Sequence, residues 1–275
     1  MEVKTLTREG NTLKILIQDV DVAYVNALRR IMIAEVPSMA IDEALIIENS
    51  SVLHDEVLAH RLALIPLKTN LDKYVLPEEC TCGSELGCSN CRVSLTLDVE
   101  ATDTPITVYA KDLKSEDPEI VPVYPDMPIV KLAPGQKIKL EAYARLGRGR
   151  DHAKWQPVSV CAHKYLPIIR FDEKRCRACG DCVDVCPRKI LVKIDQYIRV
   201  IDLTECTLCL DCVRACKLEP PAMDVSWDER SFILHIESVG GLSPERILQE
   251  ATKILDKKLE EFSQELEKQL EVLAK

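Results

Sequence analysis

The first forty residues combine a strand-like and a helix-like pattern of apolar positions. Residues 2–18 are predicted to form two strands around the turn sequence REGN, because apolar and polar residues alternate in the second strand at Leu13, Ile15 and Ile17. A helical period follows, with apolar residues at Val22, Val25, Ala27, Leu28, Ile31 and Met32. Asp21 can cap this helix and Pro37 ends it. The chain is therefore predicted to open with a hairpin and a helix.

The next part of the chain has short alternating patterns that are typical of β-structure. A strand-like run, MAIDEALIIENS, is followed by SLTLDVEA, ITVYA, IVKL and KIKLEAYARLG, with turn sequences between them. This segment is therefore predicted to be mostly β.

The C-terminal part is predicted to contain a pair of strands and a long helix. The strands lie in MDVSWDERSFILHIESVGGL and turn at WDER. Ser243 can cap the helix and Pro244 occupies its first position. Its apolar stripe consists of Leu248, Ala251, Leu255, Leu259, Phe262, Leu266, Leu270 and Leu273. A stripe this long needs a covering surface, which is an internal core, a partner subunit, or both.

Composition narrows the class of protein. A chain of 275 residues suits two or three domains, and 47% hydrophobic with 29% charged residues is typical of a soluble globular protein. The net charge of -9 argues against a dominant nucleic-acid-binding surface, which needs clustered Lys and Arg. The N-terminus lacks the apolar stretch of a signal peptide, and no apolar run reaches about 18 residues. We therefore expect a cytoplasmic protein without membrane contact.

The 13 cysteines indicate metal sites. In a reducing compartment, clustered cysteines favour metal ligation over disulfides. Twelve of them form three groups of four, and Cys161 alone is interpreted as a small buried apolar residue.

Two of the groups share the spacing CxxCxxCxxxC, as in CRACGDCVDVCPRK and CTLCLDCVRACKLE. In two-cluster ferredoxins the fourth cysteine of each motif binds the other cluster. This pattern predicts one [4Fe-4S] cluster on Cys176, Cys179, Cys182 and Cys216, and another on Cys206, Cys209, Cys212 and Cys186. The alternatives are zinc sites or plain thiols. Lys217 stands where the ferredoxin pattern has proline, which is a departure in the second motif.

The remaining group, CTCGSELGCSNC, suits a tetrahedral zinc ion. Its CxC and CxxC pairs are separated by a segment in which Gly83 and Gly87 permit a tight reversal. The predicted ligands are Cys80, Cys82, Cys88 and Cys91. An empty or oxidisable thiol loop and a third iron-sulfur site are the alternatives.

Other motifs carry less information. GRGRDHAKWQPV lacks the third glycine of a dinucleotide-binding loop, so His152 is interpreted as a hydrogen-bonding residue. No catalytic constellation is evident. On the first helix, Asn26, Arg29 and Arg30 interrupt the apolar pattern, which favours a solvated face.

The sequence resembles the alpha-like family of archaeal RNA polymerase subunits, which corresponds to the bacterial alpha N-terminal domain and to the third-largest subunit of eukaryotic polymerase II. The resemblance is carried by NALRRIMIAEVPSMAIDEALIIENSSVLHDEVLAHRLALIPL, by GRGRDHAKWQPV and by both end segments. Some archaeal members carry a ferredoxin-like insert, and the eukaryotic counterpart has a similar cysteine knuckle. No catalytic residues are expected in such a nucleotidyltransferase subunit.

The resemblance implies an α+β fold with a discontinuous dimerisation domain at residues 1–40 and 224–275. A mostly β domain would be inserted at 41–165 and a ferredoxin-like iron-sulfur domain at 166–223. It further implies pairing with subunit L, then with the large polymerase subunits, and DNA contact only through the complex. The implied partner contacts are Asn26, Arg29, Arg30, Leu255, Leu259, Phe262 and Leu266.

Two functions remain in view. The first is a non-catalytic assembly subunit of DNA-directed RNA polymerase, in which the clusters support or regulate assembly. The second is a ferredoxin-type electron-transfer subunit of an oxidoreductase, which the cysteines alone would favour. An electron carrier has no need of NALRRIMIAEVP or of the long apolar helix, so these segments favour the first.

Overall fold

The computed structural model describes residues 1–84 and 87–273, which form twelve strands and five α-helices. The strands are β1 (Glu2–Glu9), β2 (Thr12–Gln18), β3 (Ser38–Asn49), β4 (Val93–Glu100), β5 (Ile106–Tyr109), β6 (Lys114–Ser115), β7 (Pro128–Leu132), β8 (Lys137–Gly147), β9 (Val158–Phe171), β10 (Leu191–Ile194), β11 (Tyr197–Val200) and β12 (Met223–Ser238). The helices are α1 (Val22–Ala34), α2 (Asp55–Ala63), α3 (Asp181–Asp184), α4 (Asp211–Arg214) and α5 (Pro244–Leu273). Over this described part, no helix is both long and apolar enough to cross a membrane.

Contacts divide the chain into two compact units. The first unit consists of Met1–Thr7, Lys14–Asn26 and Ala162–His235. The second consists of Arg8–Leu13, Ala27–Cys161 and the chain from Ile236 onward. Both are assembled from separated stretches of sequence.

A four-stranded sheet in the order β1-β2-β12-β9 has most of its residues in the first unit. The predicted hairpin is confirmed as β1 and β2, and Leu13, Ile15 and Ile17 are buried. Residue Asp21 caps α1 as predicted, because its carboxylate accepts a hydrogen bond from the main-chain N–H of Ala23 at 2.7 Å.

The predicted turn at WDER is wrong, because β12 runs without interruption from Met223 to Ser238. β12 lies between β2 and β9, so both edges of its backbone have a neighbouring strand. Asp228 accepts hydrogen bonds from the main-chain N–H of Arg230 at 3.0 Å and from the hydroxyl of Ser231 at 2.7 Å. The polar residues that suggested a turn therefore lie within an extended strand.

The first unit also contains the two cysteine motifs, each of which includes a very short helix, α3 or α4. β10 and β11 form an antiparallel hairpin that pairs Leu191 with Val200 and Ile194 with Tyr197. The buried residues of this part are Ala178, Ile190, Leu191, Ile198, Cys206, Met223 and Val225. Its apolar core is therefore small, and two of the cysteine-motif residues belong to it.

The second unit contains an antiparallel sheet in the order β3-β8-β4-β6 and a smaller β5-β7 pair. The long strand β8 lies at the centre, where Ala144 pairs with Ile41 on one side and Val93 on the other. The predicted β segment is thus confirmed, although it also contains α2, whose Leu58 and Leu62 are fully buried.

The GRGRDHAKWQPV segment is a packed structural loop after β8. A Cβ atom at Gly149 would lie 2.2 Å from the main-chain oxygen of Ile33, so only glycine fits there. Arg150 donates its main-chain N–H to the oxygen of Ala34 at 2.8 Å. His152 accepts a hydrogen bond from the main-chain N–H of Lys154 at 3.0 Å, in agreement with its predicted role.

Helix α5 begins as predicted and changes character along its length. The Ser243 hydroxyl accepts a hydrogen bond from the main-chain N–H of Arg246 at 3.2 Å, and Ile247 and Ala251 are buried. The apolar residues farther along are exposed: Leu259, Phe262, Leu266, Leu270 and Val272. At Leu273, the last residue of the predicted stripe, the structure describes the backbone but not the side chain.

Candidate metal centres

The two cysteine motifs fold into the same loop twice, thirty residues apart. Ala178 and Leu208 have φ angles of 47° and 57°, and the residues before the short helices, Gly180 and Leu210, have φ angles of 100° and 65°. A left-handed conformation costs a non-glycine residue about 1–2 kcal/mol. The repetition of this conformation, even where leucine replaces glycine, indicates that cysteine placement decides the backbone path.

Three cysteines of the first loop share a cavity with one cysteine of the second. The cavity of about 210 Å³ is lined by Cys176, Cys179, Cys182 and Cys216. The main-chain N–H of Ala222 donates to the sulfur of Cys216 at 3.4 Å. The donor set therefore fits a cluster whose fourth ligand comes from the other motif.

The reciprocal set lines another cavity. Here Cys206, Cys209 and Cys212 of the second loop meet Cys186 of the first. The main-chain N–H of Leu208 donates to the sulfur of Cys206 at 3.5 Å. This cavity is narrower than the first, with a volume of about 20 Å³. Each cavity thus combines three cysteines of one loop with the fourth cysteine of the other loop.

Electrostatics identifies the same two sets of neighbours. Burial raises the pKa of Cys182, and the nearby Cys179, Cys176 and Cys216 raise it further. Burial also raises the pKa of Cys212 to about 11; the main-chain N–H of Val213 opposes this, and Cys209, Cys206 and Cys186 add to it. Four thiolates gathered without a cation repel one another, so each set needs positive charge to be deprotonated together.

Lys217, which stands where the ferredoxin pattern has proline, does not prevent the two motifs from sharing their cysteines. Its ammonium lies 2.8 Å from a carboxylate oxygen of Asp181, which belongs to the first loop. Hydrogen bonding to Lys217 lowers the pKa of Asp181. The lysine at the expected proline position therefore links the two motifs beside the first cavity.

The remaining four cysteines form a tighter group. The ligand atoms of Cys80, Cys82, Cys88 and Cys91 all lie within 4.8 Å of one another. The Cys88 sulfur is 3.7 Å from that of Cys80 and 3.9 Å from that of Cys91. Four thiolates 2.3 Å from a tetrahedral zinc would be separated by about 3.8 Å. The knuckle geometry therefore fits one zinc ion.

Local backbone features support the knuckle. The Gly87 φ angle is 76°, and a Cβ atom there would lie 3.3 Å from the sulfur of Cys91. The main-chain N–H of Asn90 donates to Cys88 at 3.4 Å and is the main reason that the pKa of this thiol is lowered to about 7. Within residues 1–84 and 87–273, this is the one His, Cys, Asp or Glu group compact enough for a single ion. The sulfur atoms of the eight cysteines in the two later groups are not this close together, which disfavours a single zinc ion at either of those groups.

The proposed partner contacts fall into two sets. On α1, Asn26 and Arg29 are half-buried and Arg30 is exposed. On α5, Leu255 is half-buried, whereas Leu259, Phe262 and Leu266 are 57%, 67% and 47% exposed.

The lone Cys161 is half-buried on β9 rather than fully buried, and burial raises its pKa to about 12. Its thiol therefore stays protonated and is separate from the three cysteine groups.

Comparison with known proteins identifies the chain at the level of family. The family described as RNA polymerase Rpb3/RpoA insert domain matches residues 40–168, and the 4Fe-4S dicluster domain matches residues 168–217. DNA-directed RNA polymerase subunit Rpo3 of Methanosphaera stadtmanae is 40% identical over 261 residues, covering 94% of this chain and 96% of the relative. The chain belongs to the archaeal Rpo3 family.

Other Rpo3 proteins resemble the chain to a similar degree. The Archaeoglobus fulgidus protein is 40% identical over 266 residues, with 97% of this chain and 98% of the relative covered. The Methanothermobacter thermautotrophicus protein is 42% identical over 264 residues, with 95% and 97% covered. The similarity therefore extends over both the insert and the dicluster domain.

One residue beside the paired cysteine sites of this Rpo3-family chain was missed by reasoning from sequence. Glu205 lies immediately before Cys206 and pairs with Lys14 of β2 at 2.7 Å and with Arg188. Hydrogen bonds from Lys14 and then Arg188 lower the pKa of Glu205 to about 2. The only sequence signal was the charge of the residue preceding each first cysteine, which is Arg175 in one motif and Glu205 in the other.

Proposed function

We propose that the chain is a non-catalytic assembly subunit of archaeal DNA-directed RNA polymerase. It pairs with subunit L, and the heterodimer then seats the large catalytic subunits. The observation that carries this proposal is the exposed apolar stripe on α5, in a chain that aligns over 94% of its length with an Rpo3 protein. Exposed apolar patches of this length are typical of protein interfaces.

The dimerisation domain in this proposal consists of residues 1–40 and 224–275. It is interrupted by the mostly β domain at 41–165 and by the iron-sulfur domain at 166–223. In this organisation α5 supplies Leu255, Leu259, Phe262 and Leu266 to the L interface, and α1 supplies Asn26, Arg29 and Arg30 to a large subunit. The separation of α1 and α5 in sequence is then the result of insertions into one domain.

The metal centres have structural and regulatory roles in this proposal. One [4Fe-4S] cluster is held by Cys176, Cys179, Cys182 and Cys216, and the other by Cys206, Cys209, Cys212 and Cys186. The zinc ligands are Cys80, Cys82, Cys88 and Cys91. Iron supplies the positive charge that these gathered thiolates require, so cluster loss loosens a module whose own apolar core is small.

Electron transfer is the second candidate function. One observation favours it, because Cys179 and Cys209, one ligand of each cluster, are exposed. A redox partner could therefore approach both clusters. This function gives no use to the apolar stripe of α5, so we rank it second.

Affinity purification of the native protein from archaeal cells, with iron and zinc assays, distinguishes the two functions. Co-purification of subunit L and the large polymerase subunits is expected. Co-purification of an oxidoreductase without polymerase subunits would contradict the assembly function.

The L interface can be tested with matched substitutions on α5. Phe262→Glu places a charge in the stripe, and Gln264→Glu adds the same charge on the opposite face of the helix. Burial of a phenylalanine contributes about 1.5–3 kcal/mol, so Phe262→Glu should weaken L binding by roughly tenfold to a hundredfold. Equal affinities of the two variants for L would exclude this face as the interface.

A further inference from the structure

Glu205 joins three separate segments beside the second cluster site. It ends a 3₁₀ turn, Leu203–Glu205, and the next residue is the ligand Cys206. One carboxylate oxygen of Glu205 lies 2.7 Å from the ammonium of Lys14 on β2. The other pairs with Arg188, two residues after the crossing ligand Cys186. A single side chain thus connects both ligand segments of this site to the sheet.

A second contact reaches the same loop from β9, the strand on the other side of β12. Lys164 of β9 donates from its ammonium to the main-chain oxygen of Cys206 at 2.8 Å. β2 and β9 flank β12, so two lysines from different strands converge on neighbouring residues, Glu205 and Cys206. The position of the second loop is therefore defined relative to two strands of the sheet.

The first cluster loop has different residues at the equivalent positions. Thirty residues before Glu205 stands Arg175, which donates to the main-chain oxygen of Pro220, and thirty residues after Arg188 stands Leu218. The backbone of the two loops repeats, yet this carboxylate and its arginine do not. The anchoring is thus not a general requirement for presenting four cysteines.

We propose that Glu205 is a positioning residue that couples the second cluster site to β2 through Lys14. Occupancy of this site holds the loop in place, and Glu205 transmits that order to the strand. Loss of the second cluster then loosens β2. Loss of the first cluster does not loosen β2 in this way, because within the described residues the first loop has no equivalent contact with this strand. The inference rests on the proposed cluster ligands and gives the proposed assembly role a route from the cluster to the sheet.

The test uses the full chain reconstituted anaerobically with iron and sulfide. Hydrogen–deuterium exchange of residues 12–18 is measured before and after iron removal, and iron release to a ferrous chelator is timed. In the wild type, iron removal should increase exchange in β2. Glu205→Gln and Lys14→Gln should show raised β2 exchange with iron still bound. Each variant should release one of its two iron fractions about threefold to tenfold faster than the wild type does. This expected change lies between the small effect of removing a half-exposed ion pair and the larger effect of removing a residue that orients a metal ligand.

Glu219→Gln is the matched control, because it removes the same charge from an exposed position of the same module. It should behave as the wild type in both measurements. The double variant Glu205→Gln/Lys14→Gln should be no worse than Glu205→Gln alone, since the two residues act as one unit. Should Glu205→Gln fail to fold, Lys14→Gln supplies the same comparison.

Two results would overturn this proposal alone and leave the proposed cluster ligands standing. One is β2 exchange that does not respond to iron removal in the wild type. The other is agreement of Glu205→Gln or Lys14→Gln with Glu219→Gln in both exchange and iron release. Failure of the chain to take up iron would overturn the proposed role of Glu205 together with the proposed cluster ligands. Absence of polymerase subunits after purification would count against the assembly role alone.

Discussion

The Tyr74 hydroxyl donates a hydrogen bond to the buried carboxylate of Asp117 in the second unit. The same carboxylate oxygen lies 2.7 Å from the ammonium of Lys73, and the other oxygen accepts the main-chain N–H of Glu119 at 3.0 Å. The hydrogen bonds from Lys73, Tyr74 and Glu119 lower the pKa of Asp117 from 3.8 to about 2. A buried negative charge satisfied in this way stabilises the folded state.

Asp117 should make stability depend on pH in the acid range. Its pKa is lower in the folded chain than in the unfolded chain, so its contribution is fully present above about pH 4 and is lost as the pH falls toward about 2. Asp117→Asn should reduce the free energy of unfolding by about 1–3 kcal/mol at neutral pH. Denaturant unfolding of both proteins at several pH values checks this, because acid effects on the clusters are common to both.

The difference between wild type and Asp117→Asn should shrink between pH 4 and pH 2. Asp126→Asn is the control, since Asp126 forms an exposed ion pair with Lys111 at 2.9 Å. Such pairs contribute little. A constant difference across the acid range would show that Asp117 does not titrate as inferred.

Gly149→Ala should destabilise the second unit strongly. The added Cβ atom would lie 2.2 Å from the main-chain oxygen of Ile33 and 2.9 Å from Gln156, so the loop must move away from α1. We expect a loss of about 2–4 kcal/mol, measured by denaturant unfolding. At Gly135, where φ is 79° and a Cβ atom meets nothing within 4 Å, alanine should cost only about 1 kcal/mol. Similar losses in both variants would contradict this account of the loop.

The sequence predicted those elements whose local pattern and tertiary setting agree. β8 matches the alternating segment KIKLEAYARLG, and α5 begins at the predicted Pro244. α2 was missed because only Leu58 and Leu62 are buried in a nine-residue helix, which is too little periodicity to recognise. The single strand β12 was predicted as two because WDER is locally turn-like, whereas pairing with strands on both sides keeps it extended.

The cysteine groups could be predicted from the sequence, whereas the contact of Glu205 with Lys14 could not. Ligand spacing is a local property, so the motifs alone define which thiols a loop can present. Contacts such as Lys14 with Glu205 join residues 191 positions apart and carry no local signal. Only the fold brings them together.

The crossed ligation predicts which cysteine variants should resemble each other. Cys179→Ser and Cys216→Ser should lose the same cluster, although the residues belong to different motifs, because both line the first cavity. Cys209→Ser and Cys186→Ser should lose the other. The wild type should contain about eight iron atoms per chain and each variant about four. Electron paramagnetic resonance of the reduced proteins would identify the remaining cluster. If the spectrum of Cys179→Ser matched that of Cys186→Ser, each cluster would be held within one motif, and the proposed exchange of the fourth cysteine would be contradicted.

The knuckle should bind one zinc ion per chain. Cys88→Ser should abolish zinc binding, because the Cys88 sulfur lies within 4 Å of two of the other three ligands. Native mass spectrometry of protein kept under reducing conditions measures the bound metal. Cys161→Ser should retain the ion, since Cys161 lies in none of the three groups. A disulfide within the reduced wild-type knuckle would count against the zinc site.

The second cluster should matter for late assembly more than for pairing with L. The exposed apolar stripe of α5, which we propose faces L, belongs to the second unit and contains no cysteine, so Cys209→Ser should leave the heterodimer intact. The same variant loosens the loop that Glu205 connects to β2, and a loosened module presents a less ordered surface to the large subunits. Sequential pull-downs, first with L and then with the large subunits, should therefore show near wild-type binding at the first step and roughly tenfold weaker binding at the second. Equal losses at both steps would make the cluster a general requirement for folding, and no loss at either would make it dispensable for assembly.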